Sequence, residues 1–332
     1  MRGLMAKHAT AVAAAVLLVA AVAASAQAPC TDRDAYAHPG AWVPRVDETL
    51  AAPAAVAATA DQIRTLLVRS IHQLDGIEAK AYRWAGTGRS RAYGVRALFK
   101  GYYCVENTTS YVAAVRGKVR LGDETGTWID VSVNTLYWLI NDFVSAHVRT
   151  VAGQTIFFFP HEAGEWRGLT RLRPEIHHSQ ETEAFIVAPA GQLPYRFVTR
   201  QEYLRARERQ MDSALQATSP RYAREVTDRQ YDLSQLRDTI TALTGAEREQ
   251  VAVVRNPYAL PWRERPSRRR DTPPPGFFAT EAQGGHRLFV VNADAPPFVT
   301  IYLRWDGTPP KAGVIQQFKD NFDLDALRGL LQ

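Results

Sequence analysis

Cysteine is scarce. The 332 residues hold two, Cys30 and Cys104, which allow one intramolecular bridge and no more. Bridged, they tie the N-terminal arm to a strand and close a loop of about 75 residues, a constraint of up to ~4 kcal/mol in the chain-entropy relation. The alternative is a buried Cys104 and a free Cys30. Long hydrophobic runs are lacking too. Beyond the N-terminal leader none reaches the roughly 20 apolar residues that a spanning helix needs, so no membrane span is expected. Charge of one sign is also short. The formal net charge is +6, yet acids interleave with the arginines nearly everywhere and no long basic face emerges. That sets nucleic acid aside as a partner. No G-x-S-x-G elbow is present, and Gly86-Thr87-Gly88-Arg89-Ser90 lacks the lysine and spacing of a phosphate loop. No repeat of fixed period occurs, and no cofactor is implied.

What is present begins with a three-part export signal over 1–26. Arg2 and Lys7 form its charged start, Ala9 to Ala24 its apolar run, and Ala24-Ser25-Ala26 its small-x-small cleavage pattern. Cleavage after Ala26 leaves Gln27 first and takes the net charge to +4. The expected location is periplasmic or extracellular. The remaining chain is long enough for two cores at ~100–200 residues per domain.

An extended arm is expected over 27–58, anchored by Trp42 and Val43. Thr59 and Gln62 stand at capping-box spacing before a helical stripe of Ile63, Leu66, Leu67, Ile71 and Leu74 that Gly76 ends. The period then drops to two. Tyr93, Val95, Ala97, Phe99, Tyr103 and Val105 alternate with polar residues, Tyr111 to Leu121 repeats the pattern, and Thr127, Ile129, Val131 and Val133 restart it. This predicts an antiparallel sheet with one dry face. Asn134 or Thr135 is a candidate cap for a helix carrying Leu136, Leu139, Ile140, Phe143 and His147. Further strands are expected at 154–159 and 166–173.

The strongest local signal lies between Glu183 and Leu215. Ala184 to Ala188 reads as a strand, Pro189-Ala190-Gly191 as a turn, and Tyr195 to Val198 as a second strand of the same hairpin. Thr199 and Glu202 form a capping box, and Val198 with Tyr203 a hydrophobic staple. The block LPYRFVTRQEYL, residues 193–204, resembles a strand-to-helix joint of uncharacterised exported bacterial proteins, a resemblance that implies no activity. Ser219-Pro220 predicts a second helix start, with Leu233, Leu236, Ile240 and Leu243 as the seam of a helical hairpin over 201–250. Residues 251–286 read as a linker or loop rich in proline and arginine, with Arg268, Arg269 and Arg270 solvated. A small strand-strand-helix unit closes the chain over 287–332, its helix capped by Asp323. The fold class is therefore α+β, with a largely antiparallel domain over 59–200 ahead of the hairpin and the terminal unit.

Two stretches supply candidate chemistry. Residues 173–183, RPEIHHSQETE, bring His177, His178, Glu175, Glu181 and Glu183 close in sequence, ligand types that suit zinc or another divalent metal. Adjacent strand side chains face opposite ways, however, so His177 and His178 share a metal only from an irregular loop. The turn-like PHEAGEW, residues 160–166, resembles the HExxH zinc helix in outline, but its fifth position is Glu165. Glu162 and Glu165 are instead candidate paired carboxylates for a sugar stacked on Trp166. Neither stretch offers the rigid convergence that catalysis demands. The expectation is a non-catalytic binding or structural protein of the envelope, with an envelope protein or a glycan as partner. The alternative is a metal-dependent hydrolase or carbohydrate-active enzyme built on His177 and His178 or on Glu162 and Glu165. A binding protein predicts an aromatic-lined groove, an enzyme a convergent polar site.

Overall fold

The computed structural model describes residues 30–44, 51–86, 91–105, 118–122, 126–141, 148–151, 153–174, 180–190, 192–256, 260–263 and 276–331. The expected export signal, His147, Glu175, His177, His178 and the Arg268–Arg270 run lie outside them.

The arm is only partly extended. Thr31 and Asp34 cap each other reciprocally and start helix α1 (Asp32–Tyr36). Strand β1 (Ala41–Trp42) then runs parallel to β2 (Ile77–Ala85). Cys30 and Cys104 are bridged, with α-carbons 5.7 Å apart. Helix α2 (Ala54–Ser70) starts more than a full turn before the expected cap Thr59, with Pro53 at its N-cap. Alanine has the highest helix propensity, so the helix extends through the alanine-rich start. Thr59 lies inside and donates its hydroxyl to the Ala55 carbonyl. The helix ends at Ser70, short of Gly76.

Among the described residues nine strands form the main sheet. Besides β1 and β2 these are β3 (Tyr93–Cys104), β4 (Val119–Leu121), β5 (Trp128–Val133), β8 (His161–Trp166), β9 (Leu169–Arg173), β10 (Glu181–Val187) and β14 (Val299–Trp305). Their order is β1-β2-β3-β5-β14-β10-β9-β8, with β4 on the end of β3. Every pairing but β1 with β2 is antiparallel. A second sheet joins β11 (Tyr195–Phe197), β13 (His286–Val291), β7 (Gln154–Phe158) and β6 (Val148–Val151), with β12 (Val253–Val254) on β13.

The layers follow from side-chain parity. Val95, Ala97, Ile129, Val131, Phe185, Ile301 and Leu303 face one way from the main sheet, into a core with Ile63 and Leu67 of α2. That core also takes Val314 and Phe318 of α6 (Pro309–Asn321) and Leu327 of α7 (Leu324–Gly329), which Asp323 caps as expected. Alternate residues, Ala184 and Tyr302 among them, face the second sheet and meet Phe289 and Phe159. Leu288 and Val290 point the other way, against Tyr203 and Leu204 of α4 (Arg200–Gln216) and Leu236 and Ile240 of α5 (Ala223–Ala242). The result is a helix–sheet–sheet–helix sandwich of α+β class.

Several local expectations are corrected. PHEAGEW is largely strand rather than turn, because the reversal falls one step later. Arg167 (φ 48°) and Gly168 (φ 76°) make the two-residue hairpin loop between β8 and β9. β10 and β11 are not a hairpin: β10 pairs with β14 and β9, while β11 pairs with β13. The chain crosses between sheets at Pro189. α5 begins at Ala223, since Ser219 closes a turn onto the Tyr222 amide. The strands of 287–332 are built into both sheets, β14 lying between β5 and β10. Ala252, Val254 and Phe277 of the expected linker pack into the core beneath the helical hairpin.

Candidate functional site

The sheet face turned toward the second sheet carries an unusual row. Strand register aligns Tyr82, Arg96, Asp130, Tyr302 and Ala184 across β2, β3, β5, β14 and β10. The flanking rows place Trp128 beside Arg304, and Trp84 beside Gly94 and Ser132. Asp130 is fully buried. Its Oδ2 accepts from Arg96 Nε at 2.9 Å, its Oδ1 accepts from the Ser132 hydroxyl, and Trp138 donates to it as well. Burial pushes the Asp130 carboxyl above its ordinary value, while the Arg96 charge and these hydrogen bonds pull the other way.

Trp138 reaches the row from the short helix α3 (Tyr137–Asn141), which starts where Thr135 accepts from the Tyr137 amide. Asn134, the other candidate cap, adopts φ 55° and instead ties the end of β5 to Phe298. The Trp138 ring stacks on Tyr302 at 5.2 Å and 20°, tilts against Trp128 at 5.7 Å, and lies beneath the Arg96 guanidinium at 4.6 Å. Arg304 sits 4.4 Å over Trp128. Tyr82, Trp84, Trp128 and Trp138 are half-buried. The Trp84 and Trp128 indole nitrogens are enclosed and find no acceptor among the described residues.

Chemically, this arrangement holds a cation in place. Both oxygens of Asp130 are engaged within the protein. Its effect is to fix Arg96, whose side chain keeps a quarter of its surface open. Rigid aromatic faces around a fixed guanidinium suit recognition.

The residues singled out from the sequence are dispersed. Glu162 pairs with Arg287 at 2.5 Å, and Glu165 follows beyond a register shift in β8. Trp166 is no sugar platform. It is buried against Phe185, and its indole donates to the Lys319 carbonyl. Glu181 opens β10 and borders a polar cleft of about 120 Å³ with Arg171 and Glu183. Glu183 is itself held by Lys319 at 2.8 Å. No metal-holding group of side chains occurs among the described residues. Thr199 and Glu202 form the expected capping box, with bonds of 2.9 and 3.2 Å. The row at Asp130 was missed, although one acid inside the apolar strand WIDVSV was a signal for it. Comparison with protein families, with curated proteins and with solved structures gave no match.

Proposed function

We propose that the protein is a non-catalytic binding protein of the cell envelope, and that its ligand is a glycan held on the aromatic face around Arg96. The observation that carries this reading is a group of half-buried rings on one sheet face: Tyr82 and Trp138 lie against the Arg96 guanidinium that Asp130 immobilises, Trp128 packs on Trp138, and Trp84 follows Tyr82 on the same side of β2. A sugar ring offers an apolar C–H face to an aromatic ring and a rim of hydroxyls to an arginine. Recognition by few polar groups among aromatic walls is the usual composition of a small-molecule site. Export is supported by the leader pattern and by the bridge, which an oxidising compartment sustains. No helix among the described residues is long and apolar enough to cross a membrane.

The test is calorimetric titration of the full, bridged chain with soluble fragments of envelope glycans. Saturable binding, weakened at least tenfold in Trp84→Ala and Trp138→Ala variants that melt like folded protein, supports the reading. Absence of binding across the fragments overturns it.

A further inference from the structure

The helical hairpin encloses a different site. Arg207 of α4 is 6 % exposed. Its Nη1 donates to Gln210 Oε1 at 3.1 Å, and its Nε is enclosed with no acceptor among the described residues. Among the described residues no carboxylate forms an ion pair with it. Tyr203, one turn earlier, does not supply a counter-charge. Burial pushes its phenol up to about 12, against the pull of the Arg207 charge. A guanidinium stays charged at any working pH, and a charge removed from water without a partner is costly.

Arg207 borders a cleft of about 230 Å³ between α4, α5 and Leu260. Met211, Ala214 and Leu260 form its apolar side, and Arg229 and Asp232 its other rim. Neither rim group balances Arg207. Asp232 Oδ1 already accepts from Trp262 Nε1 at 2.9 Å and Arg263 Nε at 2.6 Å. Arg229 pairs with Glu225 on its own helix. We infer that this cleft binds a small organic monocarboxylate, its carboxylate on Arg207 and its apolar body against Met211, Ala214 and Leu260. One uncompensated cation matches one negative charge, and the Asp232 carboxylate at the rim disfavours a dianion. Size agrees as well. An engineered apolar cavity of about 150 Å³ takes benzene, so this one has room for a ring and its carboxylate. The site shares no residue with the aromatic face, and either stands without the other.

Calorimetry on the full chain with phenylacetate, benzyl alcohol and inorganic phosphate tests it. Saturable binding of phenylacetate is expected, with the neutral alcohol and phosphate at least tenfold weaker. Arg207→Met should abolish that binding and leave the unliganded melting temperature equal or higher, because an unpaired buried charge has been removed. A second variant, Ala214→Phe, fills the cleft without touching the cation and should also abolish binding. Four results overturn the inference: no binding of phenylacetate, phosphate bound as tightly, binding retained in either variant, or a lower melting temperature for Arg207→Met, which marks Arg207 as structural.

Discussion

Arg96 and Asp130 lie directly opposite each other on β3 and β5, guanidinium Nε to carboxylate Oδ2 at 2.9 Å, with Asp130 wholly enclosed. Breaking such a pair strands a charge. Arg96→Met should therefore cost about 3 kcal/mol in chemical denaturation, the low end for a buried pair, because Arg96 keeps some contact with water. The loss should shrink on acidification. The folded chain raises the Asp130 carboxyl above its ordinary 3.8, so the folded state holds the proton more tightly than the unfolded one. Stability from this residue is present below that ordinary value and declines as pH rises toward the folded one. A variant penalty that does not change between neutral and acidic pH would count against this.

Other carboxylates act with the opposite sign. Burial works to raise Glu202 and Glu208. The bonds and charges of Arg196 and Thr199 at Glu202, and of Arg205 and Arg237 at Glu208, outweigh it and hold both below 4.5. Their contribution is present above 4.5 and disappears as pH falls through their folded values. Glu208→Gln should flatten the acid limb of the stability profile and leave the neutral limb nearly in place. An unchanged acid limb would show that the arginines do not hold Glu208.

The joint at Thr199 is separable from both effects. Thr199→Ala removes the hydroxyl that accepts the Glu202 amide and should cost about 1 kcal/mol. A denaturation midpoint equal to wild type would mean that Arg196 and Glu202 hold the helix start unaided.

The bridge gives a covalent test. Non-reducing peptide mapping should recover Cys30 joined to Cys104, and reduction should lower stability by about 2–4 kcal/mol. Two alkylatable thiols in protein purified without reductant would contradict it.

How far these features were readable depended on their range. Capping boxes at Thr199 and a cap at Asp323 are contacts over three residues, and spacing alone revealed them. The helical positions Ile63 and Leu67 and the strand Ile129, Val131, Val133 were legible from period, while Ile71 and Leu74 fall past the helix end at Ser70 and reach the same core from the loop. Partner choice was not. β10 and β11 are joined by a turn signal, yet they do not pair with each other: besides β9, β10 takes β14 and β11 takes β13, both more than 90 residues away. Alternation in β5 suggested one dry face, but Asp130 and Ser132 on its other face are buried too, and Trp138 of α3 reaches Asp130 there while stacking on Tyr302. The site lies on that second face, so a pattern of one apolar side concealed it. Arg207 was hidden for a similar reason. A charged residue in an arginine-rich helix reads as solvated until the second helix covers it.

The most direct measurement follows the indole N–H signals of the seven tryptophans in a nitrogen-15 spectrum while glycan fragments are added. Trp42, Trp166 and Trp262 lie away from the aromatic face and donate to the Ile71 carbonyl, the Lys319 carbonyl and Asp232. Their signals should stay in place. Those of Trp84, Trp128 and Trp138 should move together and saturate at one ligand per chain. A titration that moves Trp262 alone, or that moves none of the three, would contradict a glycan site on the aromatic face.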